Sequence, residues 1–351
     1  MRSPSDPEAA GWGGGVAAEG AAARYLQKNV DVIRLVLAKG LSERGVVIKR
    51  MDEAAGDEGV KRLSWRLLQE RPGASTGVFI YVPPRTKLSA PLSACFAVDK
   101  GAQEVHNVVA IGEGSSVTLF STCVSAGEGV SHSGFTEIYL GEGAELDLVM
   151  IHGWTKRTEV TAETAVLAGE GARFNELYLA FRSPANLTSR VKVVAGRGAS
   201  ALASTLYVAG GGSSTLETHV ELAEGASAEV ISRVVVARGA AVRQPITIEA
   251  KGEGARGHIE CRSLKLDPRS TVETVPALRS LHGEAQLTHE AAIGKISQEE
   301  LEYLTSKGFS EDEAVALLVR GFLELGVRSL PPALKPQVEA LLNLISRSAR
   351  G

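Results

Sequence analysis

The sequence predicts an all-β core in the form of a right-handed parallel β-helix, flanked by α-helical regions at both ends. The first observation is a period: Gly-x-Gly, or a close variant, recurs about every fourteen residues or at twice that interval. The second glycine of each mark stands at positions 114, 129, 143, 171, 198, 212, 225, 239 and 254. The second observation is composition, because Val, Ile, Thr and Leu fill the segments between these glycines and favour strands. Strand-plus-turn units at a fixed period are typical of a solenoid.

Two such units would make one coil of about 28 residues, so the segment 77–290 would hold about seven or eight coils. Segments such as 214–225 and 244–252 alternate apolar and polar residues, as half-buried strands do. A left-handed hexapeptide helix is the rival solenoid. It requires apolar residues at every sixth position, and the sequence lacks that pattern.

Helical spacing predicts the N-terminal flank. Apolar residues recur at intervals of three and four between Leu26 and Leu37, which predicts a helix over 19–39. A second short helix is predicted over 58–70, where the motif Arg-Pro-Gly follows.

Capping boxes predict the C-terminal flank. Ser297 with Glu300, and Ser310 with Glu313, fit the S-x-x-E pattern that satisfies free amides at a helix start. With a later Pro-Pro pair, they predict helices over 298–306, 311–325 and 333–347. The second of these helices carries an apolar stripe that includes Leu317, Leu318 and Phe322.

Composition and period together divide the chain into four parts. The predicted parts are a disordered tail over 1–18, an N-terminal helical region over 19–76, a parallel β-helix over 77–295 and a C-terminal helical domain over 296–351. Helices at both ends would also cover the exposed terminal coils of the solenoid.

Charge, cysteine content and hydropathy exclude several classes of function. The net charge is −3 with acidic and basic residues interleaved, which is unlike the basic stripe of a nucleic-acid binder. Three well-separated cysteines indicate a reducing compartment rather than a secreted disulfide framework. The sequence shows no signal peptide and no apolar run of about 18 residues, which predicts a cytoplasmic protein without a membrane span. No GxxxxGK[ST] loop occurs, so we expect this chain to bind no nucleotide.

A late group of residues carries the side chains that hold iron. Cys261 lies in GHIECRSLKL, and His282, His289 and Glu290 lie in SLHGEAQLTHEAAIGKIS. Thiolate, imidazole and carboxylate bind iron, and the first two also hold iron–sulfur clusters. Cys261 and His289 stand 28 positions apart, about one coil, which could bring them together.

Simpler interpretations of the same residues stay open. Cys261, like Cys95 and Cys123, could pack as a small core residue. His289 could be an ordinary hydrogen-bonded histidine, and His282 beside a turn glycine could be merely exposed.

The residues quoted above resemble the SufB/SufD family of the SUF iron–sulfur cluster assembly system. GVFIYVP (77–83) resembles the family's entry strand, and GHIECRSLKL (257–266) resembles the family's GxxECDxLxL-type segment. The most specific match is THEAAIGKISQEELEYLTSKGFSEDEAVALLVRGF (288–322). The resemblance implies a right-handed parallel β-helix with helical ends. It also implies that the C-terminal helices dock a SufC-type ATPase and that two β-helix subunits associate.

In this family a nascent cluster is thought to form between subunits, using a SufB cysteine and glutamate with a SufD histidine. His289 falls on the SufD histidine, which makes it the expected iron ligand, with Glu290 and Cys261 as further candidates. The SufB scaffold cysteine falls near Ser280, so the chain is SufD-like in that position. The resemblance implies a transient iron–sulfur cluster or iron as cargo and a non-catalytic assembly subunit. Leu317, Leu318 and Phe322 would bind the ATPase.

The second subunit could be another copy of the chain or a SufB/SufD-type paralogue. Two other functions remain as alternatives. A β-helix enzyme acting on polysaccharide would need a row of carboxylates such as Glu137, Asp147 and Glu163 along one groove. A structural adaptor would use the docking helices without binding metal.

Overall fold

Strands separated by short turns make up most of the residues that the structure describes. The computed structural model describes residues 20–54 and 76–327, together with Glu339 and Leu342. The strands are β1 (Ala23–Lys28), β2 (Asp31–Leu37), β3 (Val47–Arg50), β4 (Val78–Val82), β5 (Leu92–Val98), β6 (Ala102–Ile111), β7 (Ser116–Ser125), β8 (Ser131–Leu140), β9 (Glu145–Gly153), β10 (Glu159–Ala168), β11 (Arg173–Phe181), β12 (Asn186–Ala195), β13 (Ser200–Ala209), β14 (Ser213–Leu222), β15 (Ser227–Val236), β16 (Ala241–Ala250), β17 (Arg256–Lys265), β18 (Thr271–Ser280) and β19 (Gln286–Lys295). The helices are α1 (Met51–Ala54), α2 (Gln298–Ser306) and α3 (Glu311–Glu324), followed by a 3-10 turn at Leu325–Val327.

Alternate strands belong to two opposed sheets. Sheet A has the order β19-β17-β15-β13-β11-β9-β7-β5-β1-β2, and sheet B has the order β18-β16-β14-β12-β10-β8-β6-β4-β3. From β4 to β19 successive strands of each sheet pair in parallel, and two strands make one coil, so about eight coils stack. The predicted parallel β-solenoid is confirmed, and its last described strand ends at Lys295.

The two glycines of each turn mark serve different purposes. The second glycine has a left-handed backbone at all nine predicted positions, as at Gly254 with φ 66°, a region that side chains with a Cβ rarely adopt. The first glycine allows coils to approach closely. A Cβ at Gly252 would lie 2.1 Å from the backbone nitrogen of Glu224 in the coil before it.

Inward-facing side chains stack in columns along the solenoid. One column of sheet A runs through Leu148, the buried Glu176, Ala203, Val230 and Ile259, each on the inner face of its strand. Such burial stabilises the coils by about 25 cal/mol per Å² of apolar surface removed from water.

The interior also holds a polar group around His152. The Nδ1 atom of His152 lies 3.1 Å from the hydroxyl of Tyr178, and its ring packs edge-on against Trp154. His132 also packs against Trp154, and its Nδ1 atom lies 2.8 Å from the Oε1 atom of Gln103. Burial lowers the pKa of His132 to about 4 and that of His152 to about 3.

The helix predicted over 19–39 is wrong, because this segment forms the hairpin β1–β2. Asn29 turns the hairpin with φ 52°, and β1 pairs in parallel with β5 on its other side. The Val- and Ile-rich β2 favours a strand, and pairing to the solenoid outweighs the three-and-four spacing of the apolar residues. The predictions for 1–18 and 58–70 lie outside the described residues.

The first two C-terminal helices are confirmed. Each begins with a capping contact: the Ser297 amide donates to Glu300 at 3.4 Å, and the Ser310 amide donates to Glu313 at 2.9 Å. Helix α3 lies on the outer face of sheet A, where its residues Val319 and Leu323 join an apolar cluster. The third helix, predicted over 333–347, lies outside the described residues except for Glu339 and Leu342.

Among the described residues, no helix combines the length and apolar character that crossing a membrane requires.

Candidate functional site at the end of the solenoid

The last coil differs from all the coils before it in exposure. β18 ends sheet B and β19 ends sheet A, so each strand pairs on one side only among the described strands. Ile293 is 50% exposed, whereas the residue paired with it on β17, Ser263, is buried, and Leu281 after the end of β18 is 58% exposed. The end of the solenoid is therefore an open surface with apolar and polar groups side by side.

His289 lies on the inner row of this open end. It pairs in register with Ile259 of β17, which is fully buried. Side chains in register on parallel strands share a face, so His289 continues the column of Ile259. It is exposed because β19 is the outermost described strand of its sheet.

Glu290 lies on the opposite face of β19, as strand alternation requires. It stacks in register on Glu260, and Arg262 bridges the two carboxylates. The Nε atom of Arg262 lies 3.0 Å from Glu260, and an Nη atom lies 3.2 Å from Glu290. The carboxylate of Glu290, then that of Glu260, raises the pKa of Arg262. His289 and Glu290 therefore lie on opposite faces of β19.

Cys261 lies one strand further in and is only 1% exposed. The last coil contains 30 residues, so Cys261 pairs with Ala291 rather than with His289. The predicted 28-residue match between Cys261 and His289 is wrong by two positions because this coil is longer. Burial raises the pKa of the Cys261 thiol to about 12. Cys95 and Cys123 are also buried, as expected for core residues.

Ser280 and His282 lie at the end of β18 and in the turn that follows it. The hydroxyl of Ser280 donates to the backbone oxygen of His282 at 2.6 Å. Both residues are exposed. Ser280 continues the inner row of sheet B, since it pairs in register with the buried Ala250.

The three carboxylates considered for a polysaccharide groove do not line one groove. Asp147 lies on sheet A, whereas Glu137 and Glu163 lie on sheet B. Glu137 is fully buried and its Oε1 atom lies 2.8 Å from His106. Glu163 is paired with Arg190 at 2.9 Å.

The predicted partner-binding residues of α3 divide into two groups. Leu317 is 45% exposed, whereas Phe322 packs on sheet A with Arg233 5.6 Å from the centre of its ring. Leu318 is half-buried. Two aromatic residues absent from the sequence prediction, Tyr303 and Phe309, are 61% and 42% exposed. They fall outside the apolar stripe that the three-and-four spacing detects.

Comparison with known proteins assigns the family. The model described as "SUF system FeS cluster assembly, SufBD core domain" matches residues 95–322. An iron–sulfur cluster assembly SufBD family protein of Archaeoglobus fulgidus is 31% identical over 343 residues, covering 92% of this chain and 90% of the relative. Members from Methanothermobacter thermautotrophicus and Staphylococcus epidermidis are 29% and 28% identical, covering 79% and 87% of this chain and 69% and 70% of the relatives. The chain therefore belongs to the SufBD family of iron–sulfur cluster assembly proteins.

Proposed function

We propose that this protein is a non-catalytic assembly subunit that joins a second SufB/SufD-type subunit through the end of its solenoid. It would work with a SufC-type ATPase, and His289 would bind iron or a nascent iron–sulfur cluster between the two subunits. The carrying observation is the open terminal coil, which presents a histidine on an inner row that is otherwise buried. The iron or cluster is cargo in this proposal, and ATP turnover belongs to the partner.

The open end suits pairing with a second β-helix. An edge strand offers unpaired backbone amides and carbonyls to another chain, and both β18 and β19 are edge strands. The exposed side chains of Leu281 and Ile293 would gain burial on association. The partner could be another copy or a paralogue.

A second subunit would also complete the donor set. His289 and Glu290 face opposite sides of β19, so one chain offers the inner side a single nitrogen ligand at this point. Iron in iron–sulfur clusters takes mostly thiolates with some imidazoles. Ser280 stands where the SufB scaffold cysteine would fall. We therefore expect the partner to supply the thiolate.

The C-terminal helices suit the docking of an ATPase. α2 has no buried residue, so it is not needed to cover the solenoid. Tyr303, Phe309 and Leu317 expose apolar surface on α2, α3 and the loop between them. The buried free cysteines Cys95, Cys123 and Cys261 fit the reducing cytoplasm that we also propose as its location.

Cluster loading of the reconstituted complex tests the role of His289. After anaerobic reconstitution, we expect His289→Ala to lower bound iron and sulfide at least threefold, while His282→Ala, seven residues earlier in an exposed turn, retains wild-type loading. Equal loading of the two variants would contradict a role for His289 in binding iron or a cluster. Absence of iron and sulfide in every sample would favour the adaptor without metal.

Binding to a SufC-type ATPase tests the docking surface. We expect Leu317→Glu to weaken ATPase binding at least tenfold, because it places a charge in an apolar contact. Leu35→Glu is the matched control, since Leu35 has a similar exposure of 40% but lies on β2. Equal affinities for both variants would contradict docking at α2 and α3.

A further inference from the structure

We infer that a chain of four alternating charges, Arg233, Glu260, Arg262 and Glu290, couples helix α3 to the terminal strand β19. Within it, Arg262 is the residue that positions Glu290. We call these four residues the charge ladder. The inference rests on the proposed function in one respect: α3 and β19 are the elements assigned there to the ATPase and to the second subunit.

At its inner end the charge ladder is held by α3 and the turn after it. Arg233 lies on the outer face of β15 and is only 5% exposed. The ring of Phe322 covers its guanidinium, whose Cζ atom lies 5.6 Å from the ring centre. A Cβ at Gly326 would lie 3.2 Å from the Cγ atom of Arg233. A displacement of α3 would therefore displace Arg233.

In the middle, Glu260 shares its Oε1 atom between two arginines. An Nη atom of Arg233 donates to it from β15, and the Nε atom of Arg262 donates at 3.0 Å from within β17. Because Arg233 is buried, the loss of its bond to Glu260 would weaken the compensation of its charge, which is costly in a protein interior.

At the outer end, two like charges stack directly. Glu260 and Glu290 are in register on neighbouring parallel strands, an arrangement that is destabilising without a cation. Arg262 supplies the cation, with 3.2 Å between an Nη atom and the Oε1 atom of Glu290. The last strand is therefore tied to β17 by a side-chain bridge besides its backbone ladder.

The consequence is a link that works in both directions. Movement of α3 shifts the guanidinium of Arg233 and so changes the strength of its bond to Glu260. The competing bond from Arg262 to Glu260 changes with it. Capture of Glu290 by a cation or a partner chain releases Arg262, which then turns toward Glu260 alone. Such coupling free energies are reciprocal. Each successive pair of residues, from Phe322 on α3 to Glu290 on β19, is in direct contact.

Amide hydrogen exchange on the free full-length chain tests the coupling. We expect Arg262→Gln to slow exchange in α3 at least threefold, because Glu260 is then left to Arg233 alone and holds that arginine under Phe322 more firmly. Arg243→Gln is the matched control: Arg243 bridges to Glu273, from β16 to the last strand of sheet B, at 3.0 Å. It should accelerate exchange in β18 only. Unchanged α3 exchange in Arg262→Gln would overturn the inference.

A double variant separates coupling from general destabilisation. If the charge ladder transmits the effect, Arg262→Gln should no longer slow α3 exchange once Phe322→Leu has weakened the contact between α3 and Arg233. Additive effects would overturn the inference. Arg262→Lys, which keeps the charge, should leave α3 exchange close to the wild-type rate. These measurements use no ATPase and no iron, so they fail or succeed independently of the cluster-loading test on His289.

Discussion

Strands β17 and β19 are neighbours in one sheet and follow the same inward and outward pattern, yet their inner rows have different properties. On β17, Ile259 is fully buried and Cys261 is 1% exposed; on β19, His289 is exposed and Ile293 is 50% exposed. The backbone geometry is the same, since the two strands pair in register over ten residues. Position along the solenoid, rather than residue type, therefore decides whether an inner side chain serves packing or is available for binding.

The difference also explains which candidate ligand the structure favours. A thiol is intrinsically the better ligand for iron–sulfur chemistry, but the Cys261 thiol is enclosed and its pKa is raised to about 12 by burial. The imidazole of His289 is intrinsically the weaker ligand, but it is exposed at the end of the solenoid.

Thiol reactivity should give the largest difference between the two coils. At pH 8 we expect Cys261 to react with iodoacetamide about 1000-fold more slowly than the thiol introduced by Ser280→Cys, because only the thiolate reacts and burial raises the pKa of Cys261 from 9.0 to about 12. Ser280 is exposed on the last coil, and the chain's own three cysteines are buried. Mass spectrometry of the labelled peptides measures both rates. Comparable rates would show that the Cys261 thiol is accessible and would contradict the difference in burial between β17 and the last coil.

Truncating one isoleucine in each strand compares their contributions to stability. Ile259→Ala should lower the free energy of unfolding by about 2–5 kcal/mol, because it leaves a cavity in a closed core. Ile293→Ala should cost less than about 1 kcal/mol, since half of its side chain already meets water. Urea denaturation of the isolated chain measures both. A large loss for Ile293→Ala would indicate that the free chain already covers this end, as in a dimer.

Acid should destabilise the interior through its buried histidines. The pKa of His132 is about 4 in the folded chain against about 6.5 when unfolded. The contribution of the neutral His132 to the free energy of unfolding is therefore complete above pH 6.5 and is lost as the pH falls toward 4. The expected loss is about 3 kcal/mol from His132 alone. His132→Gln should reduce the loss over this window, as measured by urea denaturation at several pH values.

The exposed His282→Gln is the control and should follow the wild-type curve. Glu176 has the opposite effect on stability. Burial raises its pKa to about 7, so its protonation favours the folded chain as the pH falls below 7. The difference between variant and parent is therefore the quantity to compare. Parallel curves for His132→Gln and wild type would contradict the burial of a neutral imidazole.

The glycine period predicted the solenoid because it depends on local chemistry. A left-handed turn residue such as Gly254 and a close approach such as that at Gly252 admit almost nothing but glycine. The capping boxes at Ser297 and Ser310 succeeded for the same reason, since their partners lie three residues away. The hairpin β1–β2 was missed because its conformation depends on β5, which begins 69 residues after β1.

The sequence by itself determined the coil architecture, the family and His289 as a candidate, since each is written in local spacing or in a contiguous motif. Only the tertiary structure decided which candidates are accessible. The 30-residue last coil moved Cys261 away from His289, and the stacking of strands enclosed the thiol while it left the imidazole open. The same stacking brought Arg233, Glu260 and Glu290 together from three strands. Register between distant segments is set by the summed packing of whole coils, and no short stretch of sequence contains it.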